Sequence, residues 1–209
     1  MYNSLITEIH YLPCIAYFAS LAASDTVVFE VQEHYVKQSY RNRCYILSAN
    51  KVQMLSIPVQ QGNKKVIFKD ILIDHSQNWR KIHWRSICSA YGKAPFFEHY
   101  EAYFYDIFEK KHNYLLDLNV DLLTLCLKLL KIEKDLLFSK AYQSTPNLGI
   151  LDNRSKLRPT IDPCSILNFK IIPYNQVFGK HFVSNLSIID LLFCEGGEAP
   201  EILRRSTIP

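Results

Sequence analysis

Residues 30–43 hold the densest group of chemically useful side chains in the chain: Glu30, Glu33, His34, Lys37, Arg41, Asn42 and Arg43, interleaved with Val31, Gln32, Tyr35, Val36, Gln38, Ser39 and Tyr40. Two acids and a histidine supply a general acid/base pair, with Glu33 and His34 as the catalytic candidates. Lys37, Arg41, Asn42 and Arg43 supply a grip on an anion. Arg41 and Arg43 are two apart, so an extended backbone turns both guanidinium forks to one side, where they suit phosphate or carboxylate oxygens. The plain alternative is a solvated charged loop that pairs with itself.

The other histidines offer less. His83 recurs with Trp79 and Ile87 at helical spacing and is a second candidate base, although a lone histidine on such a face is more often a core residue. His10 closes the first apolar run. His75, His99, His112 and His181 have no evident partner. The chain has no HExxH pair, no GxSxG and no glycine-rich phosphate loop, so no metal or cofactor is expected and any phosphate must be held by side chains.

What positions the 30–43 segment is the chain before it. Residues 4–10 read as a strand, residues 15–24 as a helix with Pro13 at its first position, and residues 26–31 as a β-branched, buried strand. Strand, helix and strand in about thirty residues form a βαβ unit with a parallel pair. Ligands bind beyond the carboxyl ends of parallel strands, which is where residues 30–43 begin. A hairpin follows (43–47, turn at 48–51, 52–59), then a strand at 66–74.

Next come three expected helices. The first is N-capped by Ser76 and closed by Gly92 in a left-handed conformation, with Trp79, Ile82, His83, Ile87, Ala90 and Tyr91 on one face. The second opens at Pro95 and carries a stripe of Phe97, Tyr100, Phe104, Ile107 and Phe108. The third runs over 119–131 with Asn119 as its cap. Residues 143–165, rich in Pro, Gly and charge, read as a long loop of the kind that often serves as a lid. Order returns in a strand-like 169–178 and a short helix at 187–194 capped by Ser187. The expected class is α/β: a mixed sheet containing the N-terminal βαβ unit, with the helical segment as an insertion or second layer. One domain spans 1–209, in a strand-rich part (1–75), a helical part (76–134) and a return segment (135–209).

Composition excludes several classes. With 24 basic and 20 acidic side chains among 209 residues, the charge of +4 is too small a bias for a nucleic-acid partner. Residues 115–132 are the most membrane-like stretch, but Asp117, Asn119, Asp121, Lys128 and Lys131 interrupt them, so no span is expected. The N-terminal residues show no basic leader with a long apolar stretch and cleavage site, which points to the cytoplasm. The six cysteines are nowhere closer than 30 residues apart, so buried free thiols are expected rather than a zinc or redox motif.

Several of these runs resemble a known family. Tyr11-Leu12-Pro13 with Tyr17-Phe18, the run from Glu33 through Arg41-Asn42-Arg43-Cys44, and Leu55-Ser56-Ile57-Pro58-Val59 resemble the WbqC-like family. Trp79 with His83, residues 91–97, residues 174–178 and residues 185–193 extend the resemblance in order along nearly the whole chain. Two positions depart from it: Ile9-His10 stands where members usually carry Gln-Pro, and Cys14 where a Trp is usual. The resemblance implies a bacterial protein of surface-polysaccharide (O-antigen) synthesis, a transferase acting on a nucleotide-linked amino sugar. On that reading Lys37, Arg41 and Arg43 hold the phosphates of a small anionic substrate. The alternative is a non-catalytic anion- or partner-binding protein of the same pathway.

Overall fold

A computed structural model describes residues 4–165 and 168–207. The expected βαβ unit is present. Strand β1 (Ser4–Glu8) leads through helix α1 (Ile15–Ala22) to β2 (Thr26–Glu30), which pairs with β1 in parallel, Glu8 opposite Glu30. Pro13 lies just before the helix, and Cys14 takes the capping position. The hairpin is also present, as antiparallel β3 (Arg43–Leu47) and β4 (Val52–Ser56) in a sheet of their own.

Three helices follow: α2 (Trp79–Tyr91), α3 (Phe97–Glu109) and α4 (Leu115–Leu129). Two short strands, β5 (Leu137–Phe138) and β6 (Ile150–Asp152), then complete the first sheet in the order β5-β2-β1-β6, every pair parallel. Helices α5 (Ile188–Glu195) and α6 (Ala199–Arg205) close the described chain. The architecture is α/β.

Several local expectations are corrected. The strand over 66–74 is instead a short 3-10 turn at 68–70 flanked by single bridges, Ile67 to His34 and Ile73 to Val59. Those bridges serve the backbone of other segments, so alternation was present without a full strand. Gly92 is right-handed (φ −59), and the helix starts after Asn78 rather than Ser76. Ile82 is exposed while its companions on α2 are buried. Residues 169–178 make only an isolated bridge, Phe169 to Thr207. Of the 143–165 loop, three residues are strand β6, parallel to β1.

One apolar cluster runs from Leu5 to Leu203 and centres on α5, where Ile188 through Cys194 are all buried. Phe193 packs its ring on Tyr91, Phe97 and Phe104 at 5.1–5.5 Å between centroids. Gly196 ends α5 at φ +51, and a Cβ there would stand 2.3 Å from the Phe96 ring, so only glycine fits that corner. The same cluster carries a buried carboxylate, Asp190, which accepts from Tyr91 Oη (2.9 Å), Tyr174 Oη (2.5 Å) and Gln176 Nε2 (2.9 Å). These bonds fasten residues 174–176 to the core. Cys14, Cys44, Cys126 and Cys194 are buried free thiols, Cys88 is half-buried and Cys164 exposed. Among the described residues no helix is long and apolar enough to cross a membrane.

Candidate functional site

The carboxyl edge of the parallel sheet collects its ionisable residues on one face. Glu8 and Glu30 end adjacent strands in register, and Asp152 is paired with Ile6, two residues before Glu8, so all three side chains leave the sheet on the same side. Four carboxylates (these and Glu33) face two guanidinium groups, Arg41 and Arg154, which tie them together.

Arg41 is the centre of the first group. Its guanidinium is 1 % exposed, an unusual place for an arginine unless it is paired. Nε donates to Glu33 Oε1 at 3.0 Å and Nη2 makes a close contact with the same oxygen; Nη1 lies 3.4 Å from Glu8 Oε1. Nη2 also donates to Ser155 Oγ at 3.2 Å, and Glu8 Oε2 accepts the Ser155 N–H at 2.9 Å. His10 Nε2 lies 3.2 Å from Glu8 Oε1 without hydrogen-bond geometry, its ring between Tyr17 (4.5 Å) and Tyr40 (5.3 Å), and both ring nitrogens are buried with no hydrogen bond among the described residues.

The backbone around Arg41 is held by three elements at once. The Tyr40 carbonyl accepts from Tyr11 N–H (2.9 Å), that of Arg41 from Asn119 Nδ2 (2.7 Å), and that of Asn42 from Ile57 N–H (2.9 Å). Asn119 is therefore not the cap of α4, as its place before an apolar run suggests, but a fully buried residue inside it. Replacing it by leucine removes the donor and leaves the Arg41 carbonyl unsatisfied. The expected loss of stability is about 1–3 kcal/mol, readable from urea unfolding at neutral pH.

The second group is built on Arg154. It forms a two-pronged pair with Asp152 (Nε–Oδ1 2.9 Å, Nη2–Oδ2 2.8 Å), reaches Glu30 Oε2 with Nη1 at 3.2 Å, and donates to the Gln143 and Ser144 carbonyls. Ser139 Oγ completes the shell of Glu30 at 2.6 Å. The part of the chain that reads as an irregular loop thus supplies the strand and the arginine that finish the edge, with Ser139 coming from just before it.

Protonation follows from these contacts. Burial pushes the Glu8 carboxyl up, but the His10 ring beside it, the Arg41 charge and the Ser155 N–H outweigh it and bring it down to about 2. Burial holds His10 below its ordinary value, with Glu8 opposing and Arg41 adding to that effect. Glu33 moves the other way: burial raises it more than Arg41 lowers it. Its Oε1 is taken by Arg41, while Oε2 has no partner among the described residues and is not one of the sealed polar atoms.

The sequence candidates divide accordingly. Glu33 and Arg41 come together, 9 % and 1 % exposed. Arg41 lies in a turn and points inward, so it does not share an open side with Arg43, which begins β3 half-buried with its Nε unpartnered. Asn42 is buried and donates to the Ile57 carbonyl at 2.8 Å. His34 and Lys37 are exposed, Lys37 within 3.3 Å of Asn63 Oδ1. His83 sits apart on α2, its Nδ1 2.8 Å from the Tyr11 hydroxyl and its pKa lowered by burial to about 4. Glu8, Asp152, Arg154 and Ser155 were not singled out by the sequence. For Glu8 the signal was an acid ending an apolar strand in a βαβ unit; for Arg154 and Ser155 nothing local marked them.

The fold and site define an α/β protein with a parallel sheet whose carboxyl edge carries a buried network of carboxylates and arginines. The chain belongs to the WbqC-like protein family, whose profile matches residues 9–157 and 163–202. It is 28% identical to a Mycobacterium tuberculosis protein described as "Uncharacterized protein Rv1507c", over 95% of this chain and 96% of that protein. No solved structure matches the chain.

Proposed function

We propose that the protein is a cytoplasmic transferase acting on a nucleotide-linked amino sugar in bacterial surface-polysaccharide synthesis, with Glu33 as its general base. The observation that carries the base is the division of labour within one carboxylate. Arg41 anchors Glu33 Oε1, leaving Oε2 free, and burial moves its pKa towards the range in which a carboxylate exchanges protons efficiently near neutrality. The sugar's hydroxyl or amine gives its proton to Oε2 as its oxygen or nitrogen bonds to the transferred group, and the leaving group departs with the electron pair of the bond it breaks. Glu8 keeps Arg41 in place from behind, and His10, neutral and sealed, lines the floor.

Arg41 is neutralised by Glu8 and Glu33, so it does not anchor the phosphates in this reading. Arg43, half-buried at the start of β3, and exposed Lys37 take that role. The excess of carboxylates at the sheet edge favours a neutral or cationic sugar group there and a diphosphate farther out. A purely anion-binding role for the edge is disfavoured by the same count.

The test is a panel of nucleotide-linked amino sugars, followed by thermal shift for binding and mass spectrometry for products. Glu33→Gln is expected to lower turnover by at least about a hundredfold while the protein stays folded. Lys37→Ala with Arg43→Ala is expected to weaken binding. If no member of the panel binds or reacts, or Glu33→Gln turns over as the wild type does, the reading is wrong.

A further inference from the structure

Two adjoining cavities lie against the end of α5, and none of their residues belongs to the Arg41 or Arg154 network. One, of about 640 Å³, runs between residues 170–175 and α6, with Lys170, Pro173, Ile202 and Arg205 in its lining. The other, of about 540 Å³, is lined by Lys93, Pro95, Val177 and Phe178. Asn175 and Glu195 border both, so the two form one groove with two cations at one end, an acid at its middle and a largely apolar far end. Its wall is irregular chain that is nonetheless held fast. Tyr174 Oη and Gln176 Nε2 donate to buried Asp190 at 2.5 and 2.9 Å, the Gln176 carboxamide pairs with both backbone groups of Val183 (2.8 and 2.9 Å), and Asn175 N–H donates to Glu195 Oε1 at 3.0 Å. Burying the Asp190 carboxylate costs free energy, and what it secures is neither a strand nor a helix but this wall. The charged groups lining the groove are left unused. Among the described residues Lys93, Lys170 and Arg205 make no ion pair and Glu195 Oε2 no hydrogen bond; Glu201, one turn before Arg205, is paired with Arg204 instead.

We infer that this groove binds a nucleoside diphosphate. The groups follow one another in the order of the ligand's own parts. Lys170 and Arg205 meet the two phosphates, the unengaged oxygen of Glu195 accepts from the ribose hydroxyls, and Pro95, Val177 and Phe178 offer the base an apolar and aromatic surface. The Lys93 ammonium at that end suits a base carbonyl. A cavity of this size is in the range that small ligands fill. Inorganic pyrophosphate fits the cationic end but sets its charge towards Glu195, and an uncharged apolar ligand makes no use of Lys170 and Arg205. Because the groove shares no residue with the sheet edge, the inference does not rest on the reading of that edge as a transferase site.

Calorimetry tests the groove in the full chain carrying Lys37→Ala and Arg43→Ala, which removes the phosphate grip assigned to the sheet edge. The probes are UDP, ADP, GDP and CDP, with inorganic pyrophosphate as the truncated ligand. At least one nucleotide is expected to bind about tenfold or more tightly than pyrophosphate. Lys170→Ala with Arg205→Ala, two exposed positions whose loss leaves the core intact, is expected to weaken that nucleotide at least about tenfold. Glu195→Gln keeps an acceptor for the Asn175 N–H but loses the charge, and is expected to weaken the nucleotide about fivefold while leaving pyrophosphate no weaker. Absence of nucleotide binding overturns the inference, and so does binding that survives the loss of Lys170 and Arg205. Equal affinity for nucleotide and pyrophosphate, or a nucleotide indifferent to Glu195→Gln, makes the groove an anion patch only and overturns the assigned ligand. A wrong reading of the sheet edge shows instead in the turnover of Glu33→Gln, so the two failures are distinguishable.

Discussion

Arg41→Met is expected to cost about 3–5 kcal/mol, enough to leave a domain of ordinary stability close to unfolding. The cost comes from what stays behind. Glu8 and Glu33 remain at the sheet edge, 1 % and 9 % exposed, without the guanidinium that faces them. Methionine replaces much of the side chain's packing, so the loss reports charge rather than a cavity. Equilibrium unfolding in urea at neutral pH reads the loss, and a change below about 1 kcal/mol would mean that water or a rearranged lysine already serves the carboxylates. Coupling gives the sharper check. Adding Glu33→Gln to Arg41→Met removes one of the two stranded charges, so the double variant is expected to be more stable than the sum of the single losses implies. Arg41→Lys is expected to fall between, because an ammonium keeps the charge but not the fork that puts two donors on Glu33 Oε1.

The same network shows which parts of the molecule the sequence made legible. The βαβ unit, the hairpin and the helices were readable because each rests on a local period: Val27 and Phe29 are buried in β2, and Phe97, Phe104 and Phe108 in α3. Glu33 and Arg41 were readable as chemistry because they lie eight residues apart in one polar run. Their partners were not, since Glu8, Ser155 and Asn119 reach the site from the first strand, a late turn and the fourth helix, at separations of 33, 114 and 78 residues from Arg41. Strand β6 shows the limit most directly. Three residues carry too little pattern to mark a strand, and its existence depends on β1 being free to pair on that side. Asn119 shows the opposite error: an asparagine before an apolar run has the signature of a cap, and only the buried Arg41 carbonyl explains why it sits inside the helix. Which face of Arg41 is open was likewise unreadable, because alternation in an extended strand does not hold in the turn that the Tyr11, Asn119 and Ile57 contacts impose.

Stability is expected to fall with acid in two separate steps, the second of them tied to the site. His83 is held at about 4 by burial, against an ordinary value of 6.5. The unfolded chain takes up its proton first, so the stability that neutral His83 confers is complete above pH 6.5 and is lost as pH falls through about 4. His10, also held low by burial, acts in the same direction. Glu8 then titrates at about 2 instead of 4.5, so its contribution is complete above pH 4.5 and is lost as pH falls through about 2. At 1.36 kcal/mol per pH unit, each of the His83 and Glu8 steps is worth about 3 kcal/mol. Urea midpoints measured from pH 8 to pH 2 resolve them. His83→Gln is expected to flatten much of the upper step while leaving the lower one, because its contact with the Tyr11 hydroxyl is remote from Glu8. Glu8→Gln is expected to lower stability at neutral pH and to flatten the lower step, since a glutamine cannot ionise against Arg41. An upper step that survives His83→Gln in full would assign it to His10, and a lower step that survives Glu8→Gln would place the acid-sensitive charge outside the Arg41 network.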